Sequence, residues 1–433
     1  MRVPYEWLII ASIFAGRLAS AQEWGPGPVD PYGYSLPSQS SLYEDLLPAD
    51  RALTYPEDFG SRVMINTKEM FRGTWGRLEY LHANISHENP TLMGTPFIRG
   101  GLVDTFISDP SQQFELTLGD GTQIMAVVPS TKDVKWRDAQ GIRGSFGIPV
   151  AKAFSIEGRL WQYEEQNDQL THSMFPATST APNQWGQEPS TLMLMPVTIN
   201  GEYTSYGATY DAGFASSYRS NVKAGDVALV FNWKNPDEGL RLQPIVGYRH
   251  EEYGENLGFG GSFDNRSNFF DGAGILPTQS NWIQSNTKNQ REMMEIGLRS
   301  EIQKGFLTLG LQERIAFGSN IAKSTVNTTN VLYPGSPPGV IDGIGVTSSQ
   351  RQKTTFAPSF DLDAYVNVQM NRWLNLRVGY NLIWIGGIGA ADRSIRFNAL
   401  DDGTTITPDI VSNIKYSNRT ISAFTIGGEI ILP

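Results

Sequence analysis

The sequence predicts an all-β fold: an antiparallel transmembrane β-barrel of about ten strands, with short periplasmic turns and long extracellular loops. Three observations carry that expectation: runs in which every second residue is apolar, connections that alternate between short and long, and an N-terminus built for export. Period two over such lengths is strand, not helix. In DLDAYVNVQMNRWLNLRVGYNLIW (361–384), Leu362, Ala364, Val366 and Val368 share one face against Asp361, Asp363, Tyr365, Asn367 and Gln369. After Met370-Asn371-Arg372 the alternation resumes with Leu374, Leu376, Val378, Tyr380, Leu382 and Trp384 against Asn375, Arg377 and Asn381. Strand by strand, a soluble secreted sandwich and a membrane wall both read this way, so the connections must decide.

The elements follow in chain order. Arg2 precedes an apolar run from Trp7 to Gly16 that closes on Ala19-Ser20-Ala21, which reads as a secretory signal peptide over 1–21. Residues 22–73, rich in Pro, Gly, Ser and Tyr and without period, read as a periplasmic leader, and 74–433 as the barrel. Its first strand is Thr74 to Asn84. Ile142 to Ile148 and Phe154 to Trp161 make a hairpin about 149–152, and Tyr218 to Trp233 and Gly239 to Glu252 another about 234–238. Met294 to Glu301 and Leu307 to Arg314 pair about 303–305, the hairpin at 361–384 follows, and Phe424 to Leu432 closes the chain.

Between the hairpins lie long polar segments at 85–137, 164–217, 253–288, 319–353 and 386–418. Short turns on one rim and long loops on the other mark outer-membrane barrels; a sandwich has no reason to sort its loops by length. Phe114 to Val128, with Gly119-Asp120-Gly121 at its turn, would raise the count to twelve if it joined the wall; the preferred reading is a folded piece of the first outer loop. Trp233, Tyr248, Phe356, Phe360, Tyr380, Trp384 and Phe424 fall at or toward strand ends, where aromatic girdles sit.

Composition narrows the classes further. No segment offers the ~20 uninterrupted apolar residues of a spanning helix. There are no cysteines, so disulfides, thiolate chemistry and Cys-ligated metals are excluded. Charged residues are 18%, below the ~25% of ordinary soluble domains. Removing 1–21 takes two basic residues from 34 and one acidic from 44, leaving 32 and 43, a balance that argues against nucleic-acid binding. The partners expected instead are outer-membrane lipid, the barrel-insertion machinery and small polar solutes.

Four segments resemble a known family: GIRGSFGIPVAKAFSIEGRLW (141–161), SNVKAGDVALVFNWK with GLRLQPIVGYRHEEYGENL (220–257), EIGLRSEIQKGFLTLGLQERIAFGSN (295–320) and FAPSFDLDAYVNVQMNRWLNLRVGYNLIWIGGI (356–388). Their order resembles the outer-membrane β-barrel proteins of planctomycetes, which are related to pore-forming outer-membrane proteins. The resemblance implies an outer-membrane location and a pore or structural role, and brings no catalytic residues. The sequence departs from the pattern at its end, Ile430-Ile431-Leu432-Pro433, where barrels handled by the outer-membrane insertion machinery usually finish on an aromatic residue.

Chemistry is concentrated in the ionisable groups assigned to the inner face: Arg143, Glu157, Arg159, Arg241, Arg249, Glu295, Arg299, Glu301, Arg314, Asp361, Asp363, Arg377 and Glu429. In a ten-stranded wall the lumen is narrow, so these either pair with one another and fill it or form a constriction that selects solutes. Histidine is scarce (His82, His87, His172, His250), and His250-Glu251-Glu252 and His87-Glu88 lack the spacing of a metal or catalytic motif. A rim active site of the omptin kind therefore has no support in the spacing. Asp401-Asp402-Gly403 and Asp264-Asn265 are turn chemistry before they are Ca²⁺ sites, and the glycines of GFGG (258–261) have no following helix. No catalytic residue, cofactor or metal is expected. The reading is a passive pore or envelope structural protein with a charged lumen; the alternative is a surface binding or adhesion protein displaying long loops on a closed barrel.

Overall fold

The computed structural model describes residues 73–87, 91–94, 98–99, 102–103, 112–117, 123–131, 138–151, 153–172, 191–199, 202–210, 213–234, 239–263, 279–329, 347–401 and 406–432. The expected signal peptide and almost all of the leader lie outside these residues.

Ten long strands form the wall: β1 (Trp75–His87), β2 (Ala139–Ala151), β3 (Phe154–His172), β4 (Gly213–Phe231), β5 (Leu240–Phe263), β6 (Gln279–Lys304), β7 (Leu307–Thr329), β8 (Thr347–Gln369), β9 (Leu374–Gly389) and β10 (Tyr416–Ile431). Each pairs antiparallel with its chain neighbours, and β10 closes on β1 through Leu81↔Thr425 and its flanking pairs. The ring leaves no edge among these strands.

The size of the barrel follows from the register. From Arg241 on β5, successive partners are Glu301, Gly310, Tyr365, Gly379, Thr425, Leu81, Gly141, Tyr163 and Val222, and the path returns to β5 at Tyr253. It has climbed 253 − 241 = 12 residues in ten strands. That stagger sets a strand tilt of about 40° and a backbone radius of roughly 10 Å. Side chains projecting inward from a wall of that radius meet near the axis, so the interior must be built from them.

On the outer face, alternate residues make an apolar band: Val227 and Leu229 on β4, Val246 and Tyr248 on β5, Met294, Ile296 and Leu298 on β6, Leu309, Leu311, Ile315 and Phe317 on β7, Ile426 and Ile430 on β10. All are exposed, as a lipid-facing belt requires. Tyr248, Phe356, Tyr380 and Phe424 are exposed with it, and Trp233 sits at the short-turn rim.

Two expected loops differ most from the sequence reading. The segments 253–288 and 319–353, expected as loops, are largely strand, because β5 runs on to Phe263, β6 begins at Gln279, β7 ends at Thr329 and β8 begins at Thr347. The alternation persists there with its sign reversed. Tyr253, Leu257, Phe259, Ile283 and Val326 turn inward and are buried, while Glu252, Asn256, Lys288 and Lys323 turn outward. A 26-residue strand such as β6 rises roughly 65 Å at this tilt, against the ~25 Å of an apolar band. The upper wall therefore stands in water, and its greasy face belongs inside.

What fills that upper bore comes from the long loops. Gln112–Thr117, Gln123–Val128, Thr191–Ile199, Glu202–Tyr210, Ile395–Asp401 and Ile406–Ser412 assemble into a separate six-stranded sheet. Met195, Tyr210, Phe397 and Ile410 from it cluster with Phe214, Tyr218, Leu257, Phe259 and Ile283 of the wall. Tyr210 donates its hydroxyl to Asn281 Oδ1 at 2.7 Å, and the Ser412 and Ser324 hydroxyls meet at 2.8 Å. The hairpin within Phe114 to Val128 thus joins this sheet and not the wall, and the ring has ten members.

Candidate functional site

The site is the lumen. Its charged residues arrive there by strand parity: positions two apart point the same way, and neighbouring strands hold inward positions side by side. On this rule β3 contributes Glu157 and Arg159, β6 contributes Glu295 and Arg299, and β8 contributes Asp361 and Asp363.

At mid-height six of these groups form a closed cycle of alternating charge. Arg159 reaches Asp226 (2.8 Å), Asp226 reaches Arg314 (2.9 Å), Arg314 reaches Glu295 (2.5 Å), Glu295 reaches Arg249 (2.5 Å), Arg249 reaches Asp361 (3.3 Å), and Asp361 returns to Arg159 (2.8 Å). The cycle draws on β3, β4, β7, β6, β5 and β8, so it crosses the lumen from wall to wall. A second cycle lies beside it: Glu79 to Arg143 (2.7 Å), Arg143 to Asp363 (3.2 Å), Asp363 to Arg377 (2.9 Å) and Arg377 to Glu79 (3.2 Å), from β1, β2, β8 and β9. Arg143 grips Glu79 in a fork, Nε to Oε2 and Nη2 to Oε1, the geometry that suits guanidinium best.

Below these cycles, toward the short-turn rim, Arg77 bridges Glu79 and Glu429, and Arg299 holds Glu157 at 2.5 Å and Gln312 at 2.8 Å. The Tyr365 hydroxyl donates to Glu301 at 2.6 Å, and the Arg377 guanidinium stacks 3.3 Å from the Tyr365 ring. Leaving Arg241 and Glu301 aside, the lower and middle lumen holds seven cations (Arg77, Arg143, Arg159, Arg249, Arg299, Arg314, Arg377) and seven anions (Glu79, Glu157, Asp226, Glu295, Asp361, Asp363, Glu429). The network is neutral, as charges removed from water must be.

Above the cycles the lining turns apolar. Leu81, Ala83, Ile85, Trp161, Tyr163, Val222, Tyr253, Ile383, Ile385, Ile388 and Ile421 pack together. Arg291 crosses to Glu251 at 2.5 Å and donates to the carbonyls of Pro358 and Gly386. Higher still, Arg419 meets Glu255 at 2.8 Å and Asp392 at 3.4 Å. Burial, with Glu255 nearby, holds the Asp392 carboxyl above the usual carboxylate range. A vestibule of about 400 Å³ opens at the short-turn rim, lined by Arg77, Glu157, Arg299, Glu301 and Glu429 among others. Deeper, the cavity beside Arg159, Asp226, Arg314 and Asp363 measures about 10 Å³, room for roughly one water.

The thirteen residues assigned to the inner face divide as follows. Arg143, Glu157, Arg159, Arg249, Glu295, Arg314, Asp361, Asp363, Arg377 and Glu429 are buried. Arg299 and Glu301 line the vestibule. Arg241 lines the vestibule as well, on the inward parity of Gln243 and Arg249, but as the second residue of β5 it stands at the rim, where its side chain is 50% exposed and lies 3.6 Å from Glu301. Sequence reading missed Arg77, Glu79, Asp226, Glu251, Glu255, Arg291 and Arg419. Arg77 and Glu79 were legible, since they alternate with Leu78 and Tyr80, which face outward. The last four were hidden by the reversed alternation of the upper wall.

A ten-stranded antiparallel ring with an apolar outer band, a polar interior and loops sorted by length defines an integral outer-membrane β-barrel. Residues 75–427 match one family model, and the chain belongs to the family described as "Putative beta barrel porin-7 (BBP7)". Barrel and family together place it in the outer membrane. No curated protein matches the chain. Among solved structures, the outer membrane protease OmpT from Escherichia coli is 13% identical, with 84% of this chain and 97% of that one covered and a TM-score of 0.39. An anion-selective porin from Comamonas acidovorans is 7% identical over 83% and 98%, with a TM-score of 0.14. Likenesses this distant assign no activity.

Proposed function

We propose that this protein is a non-catalytic envelope protein whose barrel is closed along its axis, anchoring a folded outer sheet in the membrane. The observation that carries the reading is the six-membered charge cycle, which spans the lumen with every carboxylate paired. A solute would have to break several buried ion pairs and then part the apolar layer above them, and breaking even one such pair costs about 3–5 kcal/mol. Membership with the planctomycete barrels is part of the same proposal and rests on the four segments quoted above. Its partners in this proposal are outer-membrane lipid and the insertion machinery, as an outer-membrane barrel requires.

The family's porin description and the charged vestibule favour a second reading, a pore that opens by rearranging the network. Single-channel current across a planar bilayer separates the two. The refolded mature chain is expected to insert and stay silent, and Asp226→Asn with Glu295→Gln, which breaks the cycle at two points, to produce current steps. Stable steps from the unaltered protein that shift on neutralising Arg377 would establish the pore.

A further inference from the structure

The outer wall carries a second concentration of charge, of the opposite sign to the chain as a whole. Across β4 to β7, above the level where Val227, Tyr248, Met294 and Phe317 end the apolar band, a depression of about 350 Å³ opens. Gly254 makes the notch: a Cβ there would lie 2.5 Å from Asn221 Oδ1. Arg219, Lys223, Lys288 and Lys323 surround it.

The register holds these four on rigid backbone. Asn221, Gly254, Lys288 and Lys323 are successive cross-strand partners; Lys223 lies beside Glu252, and Arg219 beside Asn256. Glu252 is the acid facing outward among the lining residues, 3.6 Å from Lys288, so the patch counts 4 − 1 = +3 in a chain of net charge −10. Arg219, Lys223 and Lys323 make no ion pair among the described residues. The next acid down the wall, Glu292, is engaged by His250 Nδ1 at 2.8 Å and by the Tyr248 hydroxyl. Lys288 and Lys323 stand directly opposite each other, an arrangement that like charges make unfavourable unless an anion lies between them.

We propose that this notch binds the phosphorylated headgroup of an outer-leaflet lipid, whose acyl chains run down the apolar band past Tyr248 and Met294. The inference rests on the outer-membrane placement and is independent of whether the lumen conducts. Lys288 and Lys323 stand six residues above Met294 and Phe317, roughly 15 Å along the axis, with Ile321 exposed between the two levels. Their extended side chains therefore reach down to lipid phosphates at headgroup level, and each cation adds about fivefold to affinity at moderate salt. Phosphate oxygens offer several acceptors at once, which suits four donors around one depression.

The test is native mass spectrometry of the refolded mature chain in neutral detergent, offered a bisphosphorylated glucosamine-disaccharide lipid or its dephosphorylated counterpart. The phosphorylated lipid is expected to be retained at one copy. Retention should fall about 25-fold in Lys288→Gln/Lys323→Gln, rise in Glu252→Gln, and weaken with added salt. All three side chains lie on the exposed outer wall, and an unchanged thermal unfolding transition in each variant verifies that the barrel is intact. Equal retention of the dephosphorylated lipid, or of either lipid by the double variant, would overturn the site. Complete displacement by millimolar inorganic phosphate would make it a free-anion site and overturn the lipid assignment.

Discussion

Removing the guanidinium of Arg314 is the sharpest test of the filled lumen. Arg314 is the sole link in the cycle between Asp226, at 2.9 Å, and Glu295, at 2.5 Å, and both carboxylates have almost no exposed surface. In Arg314→Met the side-chain volume is nearly kept, so packing is roughly conserved, while Asp226 retains only Arg159 and Glu295 only Arg249. Two buried anions then lose a partner at once. The cost expected for breaking a buried pair is about 3–5 kcal/mol. For a denaturant slope of ~2–3 kcal/mol/M that is a fall of about 1–2.5 M in the urea midpoint. Trp161 is buried beside the network and reports on it, so reversible urea unfolding in lipid vesicles followed by tryptophan fluorescence gives the value. Arg241→Met is the internal standard: its side chain is half exposed and 3.6 Å from Glu301, so it should cost under ~1 kcal/mol. Adding Glu295→Gln to Arg314→Met should recover part of the loss, since it removes one stranded charge. If Arg314→Met costs no more than Arg241→Met, or its cost disappears in high salt, the cycle sits in water and the lumen is open.

Ile296, in the middle of the outer band between Met294 and Leu298, should tolerate arginine poorly, at about 2–4 kcal/mol, whereas Gln284→Arg on the same face of β6 should cost little; equal costs would contradict the placement of the band. Gly387, at a bulge in β9, has φ +69°, a Cβ there would stand 2.6 Å from the Phe356 carbonyl, and its own carbonyl accepts from Asn320 at 2.8 Å. Gly387→Ala should therefore cost about 1–3 kcal/mol by the same unfolding assay, and a neutral result would mean the bulge relaxes freely. The Asp392 carboxyl is raised in the folded state, so the native protein binds that proton more tightly than the unfolded chain. Its contribution to stability grows as pH falls from above the raised value toward ~3.9 and is absent at higher pH. Asp392→Asn should stabilise most near neutrality, with the gain shrinking in acid; a gain that grew in acid would reverse the sign of the shift.

Ten strands, their order and the apolar outer belt were readable because side chains alternate with period two and a lipid-facing strand must be apolar on every second residue. Leu309, Leu311, Glu295 and Arg299 show it: each was assigned to a face by parity alone, and each face is the one the ring uses. The upper wall was not readable in this way, since at Glu252 and Tyr253 the solvent outside changes from lipid to water and the same parity carries opposite chemistry. Nor could one strand show that Arg159 meets Asp226 and Asp361, because a stagger of twelve around ten strands decides which rungs face one another. The choice between a charged pore and a plugged barrel rests on that same geometry: at a radius of roughly 10 Å, inward arginines and carboxylates from six strands reach across the axis to each other, and pairing there is a property of the closed ring that no local stretch of sequence contains.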